Sequence, residues 1–439
     1  MANNNKHTGP NVPALRFPEF SGEWECKSLG EIGESLIGLT YSPSDVVKEG
    51  GTIVFRSSNI QNGVIDYGDL VRVSKKIKDS IVTRDGDLLI CARNGSTRLI
   101  GKNALLKKSD EGQTFGAFMM VFRSLGADRK FLYWLLNSTM FGYYLGAFAT
   151  STINQLTRKD FGEMRIPNPP LPEQRKIAAF LDGECGKIDV LRGEVEKQIA
   201  ALEEYRKSVI TEAVTKGIKR GRKMKPSGVE WIDEVPDGWK CKRFKYVATS
   251  IRKGNGITKD EVFEDGEYPC IRYGEIYSRY GFEVIACLSK TRKSCVADPV
   301  FASNGDILFA CTGELVEEIG KNVLYAGSER CVVGGDIAVA SHTQNAKFLN
   351  YYLNCSLSQF QKSRNKAKLK VVHLKTGDIA NLVVALPPIP EQHEIAAYLD
   401  RKCAAIDSMV AKCREELDRL AEYKKSLIYE YVTGKKEVA

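Results

Sequence analysis

Pro170-Leu171-Pro172-Glu173-Gln174 opens a stretch that returns 218 residues later as Pro388-Ile389-Pro390-Glu391-Gln392. The match continues without a gap for about 46 positions, about 21 of them identical. Ile177-Ala178-Ala179-Phe180-Leu181-Asp182 answers Ile395-Ala396-Ala397-Tyr398-Leu399-Asp400, and Glu204-Tyr205-Arg206-Lys207-Ser208 answers Glu422-Tyr423-Lys424-Lys425-Ser426. Self-similarity at a long fixed period marks a duplicated structural unit. Weaker echoes precede each copy: Trp24-Glu25-Cys26-Lys27 against Trp239-Lys240-Cys241-Lys242, and Gly86-Asp87-Leu88-Leu89 against Gly305-Asp306-Ile307-Leu308. The predicted order is a first variable domain (1–169), a spacer helix (170–215), a basic linker (216–230), a second variable domain (231–387) and a second spacer helix (388–434). Divergent surfaces on one scaffold imply two different ligands of one kind.

The repeated segment has a helical period. Leu181, Ile188, Val195, Leu202 and Val209 recur every seven residues, widened by Leu191, Ile199 and Tyr205, and no proline interrupts from Glu173 to Thr215. Leu399, Ile406, Cys413, Leu420 and Leu427 repeat the phase, widened by Met409, Leu417 and Tyr423. Each copy predicts an amphipathic helix of about 40 residues, roughly 60 Å long. A single stripe of that length outreaches a small domain, so pairing is favoured over two separate surface helices. In an antiparallel pair Leu181, Ile188, Val195 and Leu202 would face Leu399, Ile406, Cys413 and Leu420. Short apolar runs such as Thr52–Phe55, Asp87–Cys91, Phe118–Phe122 and Ile307–Cys311 read as strands, while 131–136 and 348–353 read as helices. The expected fold class is mixed α/β: two globular domains joined by two long antiparallel coiled-coil helices in a pseudo-twofold internal repeat.

Composition narrows the function. Of 439 residues 43% are hydrophobic, which excludes a disordered chain, and 64 Lys+Arg against 55 Asp+Glu leave a net charge of +9. An acidic partner fits that balance. No apolar run reaches the roughly 20 residues of a membrane helix and Met1 to Lys6 lack a signal-peptide core, so a cytoplasmic protein without membrane contact is expected. The twelve cysteines are scattered, with no Cys-x-x-Cys, and the four histidines lie far apart, which predicts reduced cysteines and no metal site.

Lys216 to Lys225 hold six basic residues and no acid, among them Lys219, Arg220, Arg222 and Lys223. A second cluster comprises Lys362, Arg364, Lys366, Lys368 and Lys370, with Asn365 between them. Such runs are often solvated linkers, yet two of them suit phosphate contact. Loops where arginine, amide and hydroxyl side chains gather supply donors for base edges and phosphates. In the first domain these are Arg56-Ser57-Ser58-Asn59, Arg93-Asn94 with Ser96-Thr97-Arg98, and Ser151-Thr152 with Asn154-Gln155. In the second they are Arg272-Tyr273, Arg279-Tyr280 and Arg364-Asn365-Lys366.

Catalytic motifs are missing. Asn168-Pro169-Pro170-Leu171 resembles the motif that holds an extruded adenine in amino-methyltransferases, but Leu171 replaces the aromatic that must stack on the base. No Gly-x-x-x-x-Gly-Lys-Ser/Thr occurs, and Gly254-Asn255-Gly256 follows no convincing strand.

The alternation of two divergent domains with two helices that each open Pro-Leu/Ile-Pro-Glu-Gln, together with Leu156-Thr157-Arg158-Lys159-Asp160-Phe161 and Ser227-Gly228-Val229-Glu230-Trp231-Ile232 ahead of Pro236-Asp237-Gly238-Trp239, resembles the specificity subunit of type I restriction-modification systems. The resemblance covers nearly the whole chain. It implies that each variable domain is a target-recognition domain reading half of a split double-stranded DNA site. It further implies that the helices form a spacer and dock two modification subunits. Pro172, Glu173, Gln174, Pro390, Glu391 and Gln392 would belong to that docking surface. No cofactor is expected in this chain; S-adenosylmethionine and ATP belong to the modification subunits and to the restriction subunits recruited through them. Two other readings stay open at this point: an adenine methyltransferase with its own recognition domain, and a coiled-coil scaffold that binds no nucleic acid.

Overall fold

The computed structural model describes residues 12–148, 155–364 and 372–435. It divides into two compact units, Met1–Val195 with Glu415–Ala439, and Glu196–Arg414. Each unit holds one variable domain and parts of both long helices, Leu171–Lys216 and Ile389–Thr433.

In the first unit Met119–Ser124 forms an antiparallel sheet with Gly33–Ile37 on one side and Leu88–Cys91 on the other, and Asn103–Leu105 extends it. A second sheet sets Thr52–Phe55 parallel to Thr114–Phe115 and antiparallel to Val71–Val73. The second unit repeats this plan. Ile337–His342 lies between Ala248–Lys253 and Ile307–Ala310, and Tyr268–Ile271 runs parallel to Cys331–Val333. The register repeats too: Met119 faces Cys91 as Ile337 faces Ala310. The apolar runs are buried on both faces, as Leu88 to Cys91 and Ile307 to Ala310 illustrate, which is why they read as continuous rather than alternating.

Each domain is closed by pairing its first strand with its last. Glu25–Ser28 pairs with Arg165–Asn168, and Lys240–Arg243 with Val383–Leu386, so the chain leaves the domain at the start of a long helix. The expected basic linker contains structure of its own: Met224–Val229 pairs with Ile232–Pro236 through a turn at Glu230-Trp231, with a register shift between Pro226 and Val229.

The helices run antiparallel within each unit. In the first, Ile177, Leu181, Cys185 and Ile188 share a core with Leu427, Ile428 and Val432, and Lys424 pairs with Asp189 at 2.7 Å. In the second, Val209, Ile210, Ala213 and Val214 share a core with Ile395, Leu399 and Cys403, and Arg206 pairs with Asp407 at 3.3 Å. The expected antiparallel pairing is present in each unit, and Leu420 packs against the core of Leu181 and Ile188, but the partners are extended toward the helix ends: Leu181 shares its core with Leu427, Ile428 and Val432, and Leu399 shares its core with Val209 to Val214. Leu202 and Leu420 are only partly buried, and the widening residues Leu191, Tyr205, Met409 and Tyr423 are exposed.

One pair of carbonyls is satisfied differently in the two domains. In the first, Asn103 Nδ2 donates to Gly101 O (3.0 Å) and Leu136 O (3.2 Å). In the second, the ammonium of Lys362 reaches the equivalent Gly320 O (2.8 Å) and Leu353 O (2.6 Å), and Asn322 Oδ1 at 2.8 Å. Lys362 is fully buried, so its sequence reading as a phosphate contact is corrected. An unpaired backbone carbonyl in a core is costly, and here a buried cation meets that need.

All twelve cysteines are free, most of them buried. No helix among the described residues is long and apolar enough to cross a membrane.

Candidate nucleic-acid interface

Three chain segments converge at one side of the first domain. Thr52–Phe55 leads into Arg56-Ser57-Ser58, Leu88–Cys91 leads toward Arg93-Asn94, and Phe118 immediately precedes Met119–Ser124. Asn94 Nδ2 donates to Ser57 Oγ (3.2 Å), which ties two of the loops together. The backbone N–H groups of Ala92 and Arg93 both donate to Phe118 O at 3.0 Å, which ties in the third. The Arg93 guanidinium lies 5.3 Å from the Phe118 ring centroid. With Leu39, Tyr41 and Val46, these residues line a cleft of about 1160 Å³.

Asn59 does not join that surface. It is buried, accepts from Arg56 N (2.9 Å) and donates to Asp66 O (3.1 Å) and Asp69 O (2.8 Å), so it shapes the loop that presents Arg56. Arg56 itself pairs with Asp69 at 2.8 Å. Ser96, Thr97 and Arg98 are exposed on the next loop, and Gln155 bridges to Arg93 through the backbone. Ser151, Thr152 and Asn154 lie outside the described residues, as do Asn365, Lys366, Lys368 and Lys370.

In the second domain Arg272 follows Tyr268–Ile271 as Arg56 follows Thr52–Phe55, and buried Glu275 stands where Asn59 stands. Its carboxylate accepts from Arg272 N (2.9 Å) and Ser289 Oγ (2.5 Å), and lies 3.8 Å from the guanidinium groups of both Arg272 and Arg279. Part of the positive charge read from the sequence is therefore balanced locally. Tyr280 is buried and its hydroxyl accepts from Leu288 N (2.8 Å), which removes it from the contact set; the same burial pushes its phenol up to about 12. Tyr273 is exposed. Arg364 lies 5.2 Å from the Trp231 ring centroid and 3.4 Å from Glu230.

The basic stretch separates into two groups. Lys219 pairs with Glu394 (3.0 Å), Lys225 with Asp237 (3.9 Å), and Arg222 with Glu391 while resting 5.7 Å from the Trp239 ring. Lys216, Arg220 and Lys223 are exposed, with no ion pair among the described residues. Lys216, Lys219, Arg220, Arg222 and Lys402 share a hollow of about 1070 Å³ in the second unit.

The glutamates and glutamines of the Pro-Glu-Gln starts are clamps inside their own domains, which corrects the reading of those four residues as docking surface. Glu173 and Gln174 are buried. Arg16 grips Glu173 with two hydrogen bonds, and Gln174 accepts from Asp128 N (2.7 Å) while donating to Asn168 Oδ1 (3.0 Å) and Pro169 O (2.8 Å). In the second copy Arg222 grips Glu391, and Gln392 accepts from Asn345 N (3.0 Å) and donates to Pro387 O (3.0 Å). Asp128 and Asn345 cap the helices Arg129–Leu136 and Ala346–Asn354. About two turns further along, Asp182 accepts from Lys130 Nζ (2.5 Å) and Trp134 Nε1 (2.9 Å), and Asp400 accepts from Lys347 Nζ (2.9 Å) and the Tyr351 hydroxyl (3.0 Å). The identical residues of the duplicated segment thus fasten each domain to a helix. Pro172 and Pro390 are exposed on the first turns.

A family model described as type I restriction modification DNA specificity domain matches the chain twice, over residues 21–199 and 236–418. The chain belongs to that family. It is 24% identical over 433 residues to the type I restriction enzyme MjaVIII specificity subunit of Methanocaldococcus jannaschii, covering 96% of this chain and 94% of that one. It is also 24% identical over 453 residues to the EcoKI specificity subunit of Escherichia coli K12, covering 96% and 90%. Among solved structures, a chain of a type I restriction-modification system studied for complex assembly and conformational transition superposes with a TM-score of 0.71 at 20% identity, over 93% of this chain and 97% of that one. The HsdS subunit from Thermoanaerobacter tengcongensis gives 0.50 at 20% identity, over 94% and 97%.

As a type I specificity subunit the chain is the recognising, non-catalytic part of its system. Among its described residues no group of three or more His, Cys, Asp or Glu could hold a metal ion. Sequence reading missed Phe118, which it placed inside a strand, and Arg16, which nothing in the repeat points to. Asp182 and Asp400 were legible as a repeated pair, but their partners on a distant helix were not.

Proposed function

We propose that this specificity subunit reads one asymmetric, bipartite duplex target, each recognition domain taking one half. The observation that carries this reading is a shared scaffold with unlike side chains at matching positions. Arg93 in the first domain corresponds to Thr312 in the second, and Gln155 to His373, within the same backbone pairing. Identical surfaces would favour a palindrome; these do not. Arg56, Arg93, Asn94 and Ser57 supply donors for base edges and phosphates on one side, and Arg272, Thr312 and His373 on the other.

Two modification subunits would dock on the exposed apolar flanks of the long helices. Leu191 corresponds to Met409 and Tyr205 to Tyr423, all exposed, which suits two copies of one partner. Restriction subunits would join through them, S-adenosylmethionine and ATP would be held in those partners, and the assembly would work in the cytoplasm. Methylation mapping of genomic DNA from cells carrying the system tests the reading. A motif of two unlike halves around a gap of unread bases is expected, and a single continuous palindrome would refute it.

A further inference from the structure

Phe118 is 60% exposed although the backbone around it is hydrogen-bonded to two other segments of the first domain. Gly116 N donates to Phe55 O and Ala117 N to Leu39 O, both at 3.0 Å, and Phe118 O receives the two N–H groups of the Arg93 loop. The neighbouring Phe115 and Phe122 are buried. One exposed ring is ordinary on a protein surface, but Phe118 shares a single cleft with Leu39, Tyr41, Val46 and Val71, and apolar groups gathered in one accessible cleft mark a contact surface. The partner's chemistry follows from the surroundings. Arg93 stands beside the ring, with Arg56, whose charge Asp69 partly balances, across the cleft; Asn94 and Ser57 add hydrogen-bonding groups, and no acidic side chain is among the described residues that line the cleft. A polyanion with an apolar edge fits.

The second domain carries a different side chain at the same place. Ile337 faces Ala310 in the register in which Met119 faces Cys91, so Asp336 takes the position of Phe118. The backbone role is kept, since Cys311 N donates to Asp336 O at 2.8 Å as Ala92 N does to Phe118 O. The side chain changes from an exposed apolar ring to a half-buried carboxylate.

We propose that residues 118 and 336 are equivalent base-reading positions: Phe118 packs against the 5-methyl edge of a thymine, and Asp336 accepts a hydrogen bond from an exocyclic amino group. Thymine is the base that presents a methyl group in the major groove, and cytosine and adenine present amino donors there. A carboxylate repels phosphates, so a base donor is the DNA contact open to Asp336. The proposal rests on the DNA reading given above.

A randomised duplex library selected by the full chain in its complex tests it. Phe118→Ala should relax one thymine position in one half-site and leave the other half unchanged, while Phe118→Leu should keep that preference in part. Replacing that thymine by deoxyuridine should weaken wild-type binding roughly fourfold, the worth of one buried methyl, and leave Phe118→Ala unaffected. Asp336→Ala should relax a position in the other half-site alone. Thermal unfolding should be unchanged for Phe118→Ala, since the ring is exposed. If both alanine variants select the wild-type motif at every position, the assignment of these two residues is overturned and the DNA reading survives. If the wild-type complex itself selects no sequence, the DNA reading falls and this proposal with it.

Discussion

Arg16 holds Glu173 through two parallel hydrogen bonds, 2.8 Å from Nε to Oε1 and 2.7 Å from Nη2 to Oε2, with both side chains largely withdrawn from solvent. Removing one partner of such a pair strands the other charge in a poorly solvated site, which costs about 3 to 5 kcal/mol. Glu173→Ala should therefore lower the stability of the first unit by about that amount in denaturant unfolding. Glu391→Ala should cost less, because its pair with Arg222 is more exposed, at 21% and 11% of the side-chain surface. Equal losses would show that burial does not set the difference.

Lys362 should make the second domain's stability depend on pH. Its three acceptors match the three N–H groups of an ammonium, while burial pulls its pKa from 10.5 down to about 7. The folded protein then releases the proton near pH 7 and the unfolded chain near 10.5. Between those values the unfolded state binds more protons, so stability rises with pH by at most about 1.4 kcal/mol per unit. Lys362→Met removes that rise and leaves Gly320 O and Leu353 O without a donor, at about 1 to 3 kcal/mol for a buried group. Its deficit should be larger at pH 9 than at pH 7 and level off below that; a deficit that grew on acidification would contradict the assignment.

Within the basic stretch, neighbouring residues should behave differently. Replacing Arg220 and Lys223 by alanine should weaken binding to every duplex alike and reduce the salt dependence by about one slope unit per lost phosphate contact. Arg222→Ala should act on folding, since its guanidinium is engaged by Glu391 and Trp239. Salt titrations of binding beside thermal unfolding separate the two, and an Arg222→Ala variant that changed only the salt slope would reverse the division.

The helix register also discriminates. Ile188→Asp or Leu427→Asp places a carboxylate in the core shared by the two helices in the first unit, and a loss of more than about 3 kcal/mol is expected. Leu202→Asp, at a partly buried position, should cost much less. Circular dichroism against denaturant measures both, and a Leu202→Asp variant as damaged as Ile188→Asp would mean that the stripe is buried evenly.

The amino-acid sequence is most legible where period and repetition encode the fold. A seven-residue stripe specifies a long helix, and two copies of it at one separation specify a duplicated plan. Polar side chains are less legible, because their role depends on partners far away in the chain. Asn59 and Lys362 look like surface donors in sequence, yet one caps a loop and the other sits in a core, each satisfying carbonyls that sequence does not place nearby. Glu173 and Gln174 read as docking surface through the family resemblance, but they repeat because both domains are fastened in the same way. Phe118 is hidden by the opposite error: as one apolar residue in an apolar run it resembles core, and only the strand's start at Met119 leaves its ring outside.

The clamp bears on how new specificities arise. Each domain meets its helix through few chemical requirements: a closing strand pair, a capped helix whose first N–H reaches the glutamine, and a lysine and an aromatic donor for the aspartate. The reading loops are not among them. A domain inherited from another lineage and joined through the duplicated coding segment would satisfy these requirements with its own reading loops intact. The duplicated segment, being alike at both ends, is where such exchanges by recombination would begin and end. Heredity can thus change the target wholesale while the fold stays in place.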